Sequence, residues 1–290
     1  MTLPFIVVDQ NQLREADAIA SVLDRCCREN LQLLIPEGAG FEFSKGSNPF
    51  RTWILSLKQL VPCAEFVVVG KKITEIWRNE IEKGHACTDV IEHGATILFR
   101  RKLQQIAAGD ESGVRSLIDG PVKQLMPESL AHWSKHDQIK SVIRTHYDSL
   151  KSSLTHATIK DLRNAPVDAM IAWLSSADGV RFVFQGIQSR GASSEAALRL
   201  AVGPSAIGGF VSGMAAMSLY WLTFGGLEAA KPEAITNDLH DLEYAVLGAL
   251  SNSMLSNDKR LKVIHQAITG GTDGRARWFA RALDVGPARA

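Results

Sequence analysis

Three short apolar, β-branched runs constrain this chain more than anything else in it. They are Leu3-Pro4-Phe5-Ile6-Val7-Val8, Leu31-Gln32-Leu33-Leu34-Ile35-Pro36 and Glu65-Phe66-Val67-Val68-Val69-Gly70. Each is short for a helix and too uniformly apolar for a strand with one wet face, so each reads as a strand buried on both sides. Between them the period changes. Leu13 to Asn30 puts Ala16, Ile19, Ala20, Val22, Leu23 and Cys27 largely on one side, with Arg14, Asp17, Asp24 and Glu29 on the other. A helical pattern resumes from Phe50 to Leu60 through Trp53, Ile54 and Leu57. Strand, helix, strand, helix, strand is the signature of an α/β fold whose central parallel sheet is flanked by helices.

Such sheets bind ligands beyond the carboxyl ends of their strands, so the residues that follow each run carry weight. The first run ends in Asp9-Gln10-Asn11, and Glu37 and Glu42 flank the Gly-rich turn after the second. Near the C-terminus, Asn237 to Tyr244 reads as a helix opened by acids. Asn237 or Asp238 can cap it, Asp241 sits where the helix dipole tolerates a negative charge, and Leu242, Ala245, Val246, Ala249 and Leu250 give it a buried face. Ser251-Asn252-Ser253 then turns the chain, Met254-Leu255 makes a brief strand, and Asp258 follows. Asp9, Glu42 (or Glu37), Asp241 and Asp258, with Asp238 close by, are expected at one edge of the sheet. Carboxylates gathered in one crevice repel each other, and a divalent cation is the usual remedy.

Taken in order, these pieces resemble the PIN-like domain family, the fold of many metal-dependent ribonucleases. The matching residues are Asp9 and Asn11 after the first strand, Ile35, Pro36 and Glu42 at the second strand and helix, Asp241 opening a late helix, and Asp258 after the last strand. Asp241 and Asp258 stand 17 positions apart, the length of a helix–turn–strand unit. The resemblance implies a PIN-like α/β core over residues 1–70 and 228–290, with 71–227 as a mostly helical insertion packed on it. It implies a nuclease dependent on Mg²⁺ or Mn²⁺, foremost an endoribonuclease. Asp9, Asp241 and Asp258 would hold the metal, Glu42 would complete the ring or orient a water, Asn11 would position Asp9, and Glu37 and Asp238 would support them. It further implies an RNA (or DNA) substrate and a toxin or defence role with an inhibitor or partner protein. The alternative is a catalytically inactive PIN-like scaffold that binds protein or nucleic acid through its insertion. A phosphatase using Asp9 as nucleophile ranks below both, because that chemistry wants a second acid where Asn11 stands.

Composition narrows the partners. Lys plus Arg is 32 against 31 Asp plus Glu, a net charge of +1, so no global field recruits nucleic acid. Any attraction must be local, and Arg100-Arg101-Lys102 with Lys259 and Arg260 are the candidates, although a charge run is more often a solvated helix face. Cys26, Cys27, Cys63 and Cys87 lack metal-site spacing and read as reduced thiols of a cytoplasmic protein. The N-terminal apolar run has no basic region before it and is too short for a signal peptide.

The middle reads as helical. Lys72 to Lys83 stops at Gly84, Ala95 to Ala107 follows, and one polar helix is expected from about Glu128 to Asn164 before Pro166. His132 and His136 share a helical face but have no third ligand in sight, so they read as surface or structural histidines. Leu200 to Leu227 is 28 residues without a charge; its Pro, glycines and hydroxyls favour a buried helix over a membrane span. Lys259 to Ile268 is expected as a short helix, Gly270 to Gly274 as a turn, and Arg275, Arg277 and Arg281 with Trp278 and Phe279 as a basic aromatic tail docked on the domain. A homodimer formed through the insertion is a further possibility.

Overall fold

The computed structural model describes residues 5–9, 12–14, 16–36, 38–44, 48–119, 135–223, 225–251 and 253–284. The chain forms two compact units, one of Met1–Lys72, Asp89–Lys135 and Ser253–Asp258, the other of Ile73–Thr88, His136–Asn252 and Lys259–Ala290.

The first unit is built on a four-stranded parallel sheet of β1 (Phe5–Val8), β2 (Gln32–Ile35), β3 (Val67–Val69) and β4 (Met254–Leu255), in the order β3-β2-β1-β4. Phe5 pairs with Gln32 and Val7 with Leu34, Leu33 pairs with Val67 and Ile35 with Val69, and on the other side Val7 meets Met254 and Val8 meets Leu255. All four residues of β1 are buried. That is the burial a parallel sheet with both faces covered requires, and each such Val, Ile or Phe contributes about 1.5–3 kcal/mol. Helix α1 (Ala16–Glu29) turns Ile19, Val22 and Cys26 inward and carries the Arg25–Glu29 and Arg28–Asp24 pairs on its wet face. After β2 the chain makes α2 (Gly38–Ser44) and α3 (Pro49–Leu60). Asn48 caps α3 by accepting from Arg51 N at 3.0 Å, and Pro49 presets its first turn. Trp53 is buried edge-on to Phe43 at 5.1 Å and donates its indole N–H to Ser44 Oγ at 3.0 Å. The β3 edge is covered by residues 90–92, with Lys71 N bonded to Val90 O and Glu92 N to Val69 O.

The second unit is helical. Its members include α4 (Ile73–Lys83), α7 (His136–Ser153), α8 (His156–Asn164), α9 (Pro166–Leu174), α10 (Ala177–Gln188), α11 (Ser194–Val202), α12 (Ala206–Thr223), α13 (Pro232–Ser251) and α14 (Lys259–Asp284); α5 (His93–Ala107) and α6 (Ser112–Leu117) belong to the first unit. Helix α12 comes from the uncharged stretch. It is long and apolar enough to cross a membrane, but 72% of it is buried inside the protein, as expected. Close backbone approach explains its glycines. A Cβ on Gly213 would collide with Leu242 Cδ1 of α13, and one on Gly186 of α10 would lie 2.6 Å from Val211 of α12.

Three expectations are corrected. The polar helix of the middle is two helices, α7 and α8, because Thr155 leaves the helix and caps α8 by accepting from Thr158 N at 3.1 Å; its expected start at Glu128, and His132, lie outside the described residues. The acidic helix starts at Pro232, so neither Asn237 nor Asp238 is its cap. The glycines at 270, 271 and 274 make no turn but lie inside the 26-residue α14. A Cβ there would meet Ile171 at 2.7 Å, Leu174 at 2.7 Å and Ser175 Oγ. These glycines let α14 lie against α9 and the residue after it.

Glu80 anchors the buried end of α12. It is fully buried, and its carboxylate accepts from Cys87 N (3.0 Å), Ala206 N (2.9 Å) and Ile207 N (2.8 Å), the last two at the helix N-terminus. Burial pushes the carboxyl above its ordinary value of 4.5, and the three N–H bonds pull the other way without cancelling it. The folded state therefore holds this proton in a range where the unfolded chain has lost it. This group's contribution to stability is complete below pH 4.5 and falls as pH rises through the folded value. Glu80→Ala orphans three N–H groups and is expected to lower the unfolding free energy by about 3 kcal/mol, more than Glu80→Gln. Urea midpoints measured across pH should show the wild-type advantage over Glu80→Gln shrinking above pH 4.5.

Candidate active site at the carboxyl edge of the sheet

In a sheet ordered 3-2-1-4, the chain leaves β1 in one direction and returns to its other side, so the carboxyl ends of β1 and β4 flank the topological switch point. Asp9 follows β1 and Asp258 lies three residues beyond β4. The backbone fixes Asp9 first: its N–H donates to Leu255 O at 2.9 Å, and its carbonyl accepts from Gln12 N at 2.9 Å. Ser256 then fixes the side chain. Its hydroxyl donates to Asp9 Oδ2 at 2.8 Å and accepts from Asp258 N at 3.0 Å, so one oxygen joins the first strand to the residue before α14. Ser256 is buried, Asp9 is 4% exposed, and Asp258 is half-buried. A buried carboxylate is costly unless hydrogen-bonded, which gives the hydroxyl its local role.

Asn11 and Glu37 lie outside the described residues. Glu42 falls in α2, with its side chain likewise outside them. Asp238 and Asp241 belong to α13 of the helical unit, and Arg260 of α14 reaches both. Its Nη1 is 2.5 Å from Asp238 Oδ1, and its Nη2 donates to Asp241 Oδ2 at 3.3 Å. Trp221 Nε1 donates to the other Asp238 oxygen at 2.9 Å. Among the described residues, no group of three or more His, Cys, Asp and Glu side chains could hold a metal ion.

No family model, curated protein or solved structure matches the chain.

Of the basic candidates, Arg260 is engaged by the two acids of its unit, and Arg100 donates Nε to Val67 O at 2.8 Å, fastening α5 to the edge strand. Arg101 and Lys259 are exposed and Lys102 is half-buried. Ser256 and Trp221 lie outside the candidates that the sequence motifs mark. The Ser256-Asn257-Asp258 triplet does carry a signal, because a Ser hydroxyl bonding the N–H two residues on is a common local motif. The partnership of Trp221 with Asp238 has no comparable sequence signal.

The buried part of this network predicts a stability pattern. Asp238→Ala removes one of the two acids that Arg260 pairs with, strands the Trp221 indole N–H, and is expected to cost about 3 kcal/mol. Adding Arg260→Met should restore about 1 kcal/mol, since that guanidinium is partly solvated. A double-mutant cycle by urea unfolding measures the coupling, and strict additivity would contradict it.

Proposed function

We propose that the chain is a divalent-metal-dependent phosphodiesterase that cuts RNA, with Asp9 and Asp258 as the carboxylates that hold Mg²⁺ or Mn²⁺. The observation that carries this reading is the Ser256 hydroxyl joining Asp9 to the Asp258 amide at the switch point of a parallel sheet. The donors suit the ion. Hard cations take carboxylate oxygens, and Mg²⁺ is commonly held by one or two carboxylates with waters and substrate phosphate. When bound, such a cation lowers the pKa of a water and neutralises charge developing on the phosphate. The protein's own part is orientation: Ser256 fixes the Asp9 carboxylate, and the Asp9 backbone is tied to β4. The PIN-like family, the ribonuclease activity and a partnered toxin or defence role remain the content of the resemblance, which this site supports in its Asp9 and Asp258 positions.

A second reading is favoured by Arg260. Asp238 and Asp241 are drawn into ion pairs with it, which suits a non-catalytic scaffold in which acids serve stability. An Asp241→Asn variant tests separately whether that carboxylate takes part in catalysis.

The deciding assay is cleavage of single-stranded RNA and DNA with Mn²⁺, Mg²⁺ or EDTA. Metal-dependent cleavage is expected in the wild type and its loss in Asp9→Asn and Asp258→Asn. Ser256→Ala should reduce it by about 10–100-fold with the protein still folded, the usual cost of losing a group that orients a metal ligand. A folded wild type with no cleavage and no metal-induced rise in melting temperature would move the assignment to the scaffold.

A further inference from the structure

The helical unit contains a cavity of about 210 Å³ where α7, α10 and α12 meet, open to solvent and wholly separate in chemistry from the carboxylates. Val211, Met214 and Ser218 recur along α12 at helical spacing to form one wall, with Phe182 of α10 beside them. Gly186 brings the backbones of α10 and α12 together, since a Cβ there would collide with Val211. The residue that sets the cavity's character is Arg190, half-buried just beyond the end of α10.

Among the described residues, Arg190 has no counter-ion. Its Nη1 donates to Gly186 O at 2.7 Å and its guanidinium lies 5.7 Å from the Phe210 ring centroid, but no carboxylate of a described residue pairs with it. Burial alone pushes its pKa down. A guanidinium has five N–H donors, so one carbonyl leaves most of them unused. Around it stand other side chains with unused hydrogen-bonding capacity: His146 and Ser149, one turn apart on α7, and Gln185 on α10. A half-buried cation flanked by donors is the complement of an anion.

We propose that this cavity binds a small phosphomonoester, with the phosphoryl group on Arg190, His146 and Ser149 and its organic body against Phe182 and Met214. Phosphate fits the donor set better than carboxylate, because its three terminal oxygens match a guanidinium fork, an imidazole, a hydroxyl and an amide together. The size limits the ligand: the cavity equals about seven waters of liquid volume and is smaller than a pocket for a drug-sized molecule.

The test is calorimetric titration of the full chain, in buffer free of phosphate, with phenyl phosphate, inorganic phosphate, benzoate and phenol. Phenyl phosphate is expected to bind saturably with Kd of about 1 mM or tighter, inorganic phosphate more weakly, and phenol not at all. Arg190→Met should weaken phenyl phosphate at least about tenfold. That variant also strips a bond from the end of α10, so Gln185→Glu is the companion: at an exposed position it sets a carboxylate beside the guanidinium and should abolish binding with the melting temperature held. The proposal is overturned if phenyl phosphate shows no saturable heat up to about 10 mM. It is equally overturned if Gln185→Glu binds as the wild type does, or if benzoate binds in preference. Inorganic phosphate binding as tightly as its ester would overturn it too, since the organic body would then contribute nothing.

Discussion

Everything at the sheet edge depends on a two-residue strand. Met254 and Leu255 pair with Val7 and Val8, and two backbone bonds, Val7 N to Ser253 O at 3.1 Å and Asp9 N to Leu255 O at 2.9 Å, bind the end of the chain to its beginning. Alone, so short a strand could not hold. Side chains reinforce it at both ends, with Arg25 Nη1 donating to Ser253 Oγ at 3.1 Å and Ser256 to Asp9 at 2.8 Å. The excursion between β3 and β4 adds less entropic penalty than its length suggests, because closure cost grows only with the logarithm of loop length, about 0.6 kcal/mol per doubling. A helical unit compact in itself reduces even that, since its residues are not free chain. A long excursion and a precise return are therefore compatible.

The buried acids show three solutions to one electrostatic problem. Glu80 is met by three backbone N–H groups, Asp238 by a guanidinium and an indole, and Asp9 by a hydroxyl. The partner chemistry separates their roles. Backbone amides at a helix start fix Glu80 as a structural cap, and the guanidinium neutralises Asp238. The Ser256 hydroxyl orients the Asp9 carboxylate at the edge of the sheet.

How much of this could be read from sequence followed the physics of each signal. The first three strands are legible because uniformly apolar, β-branched runs have few other uses, and the place of Asp9 directly after β1 follows from the first of them. Glycine misled at 270–274, where its usual meaning is a turn. In α14 the same residues serve close packing against Ile171 and Leu174, which depends on what lies opposite and leaves no local trace. The acidic helix starts ahead of Asn237 and Asp238 because the fixed φ of Pro232 suits a first helical position. Ion-pair choice was also hidden: Arg260 is 19 residues from Asp241, and only the packing of α13 on α14 joins them.

The two withdrawn arginines sharpen the distinction between a structural charge and a binding one. Arg275, fully buried, donates Nε to Ala201 O at 2.6 Å and Nη2 to Thr272 Oγ1 at 3.1 Å, and burial lowers its pKa to about 10. Arg190 likewise donates to a carbonyl near a helix end, Gly186 O. In both cases the negative end of a helix dipole supplies part of the missing counter-charge. They differ in what lies beyond. Arg275 is enclosed by the α9–α14 packing that the glycines make possible, so its charge can act only on the protein. Arg190 borders a solvent-open cavity with unused donors on two other helices, so an anion can reach it. The same terminal-carbonyl anchor thus serves cohesion when closed over and recognition when left open.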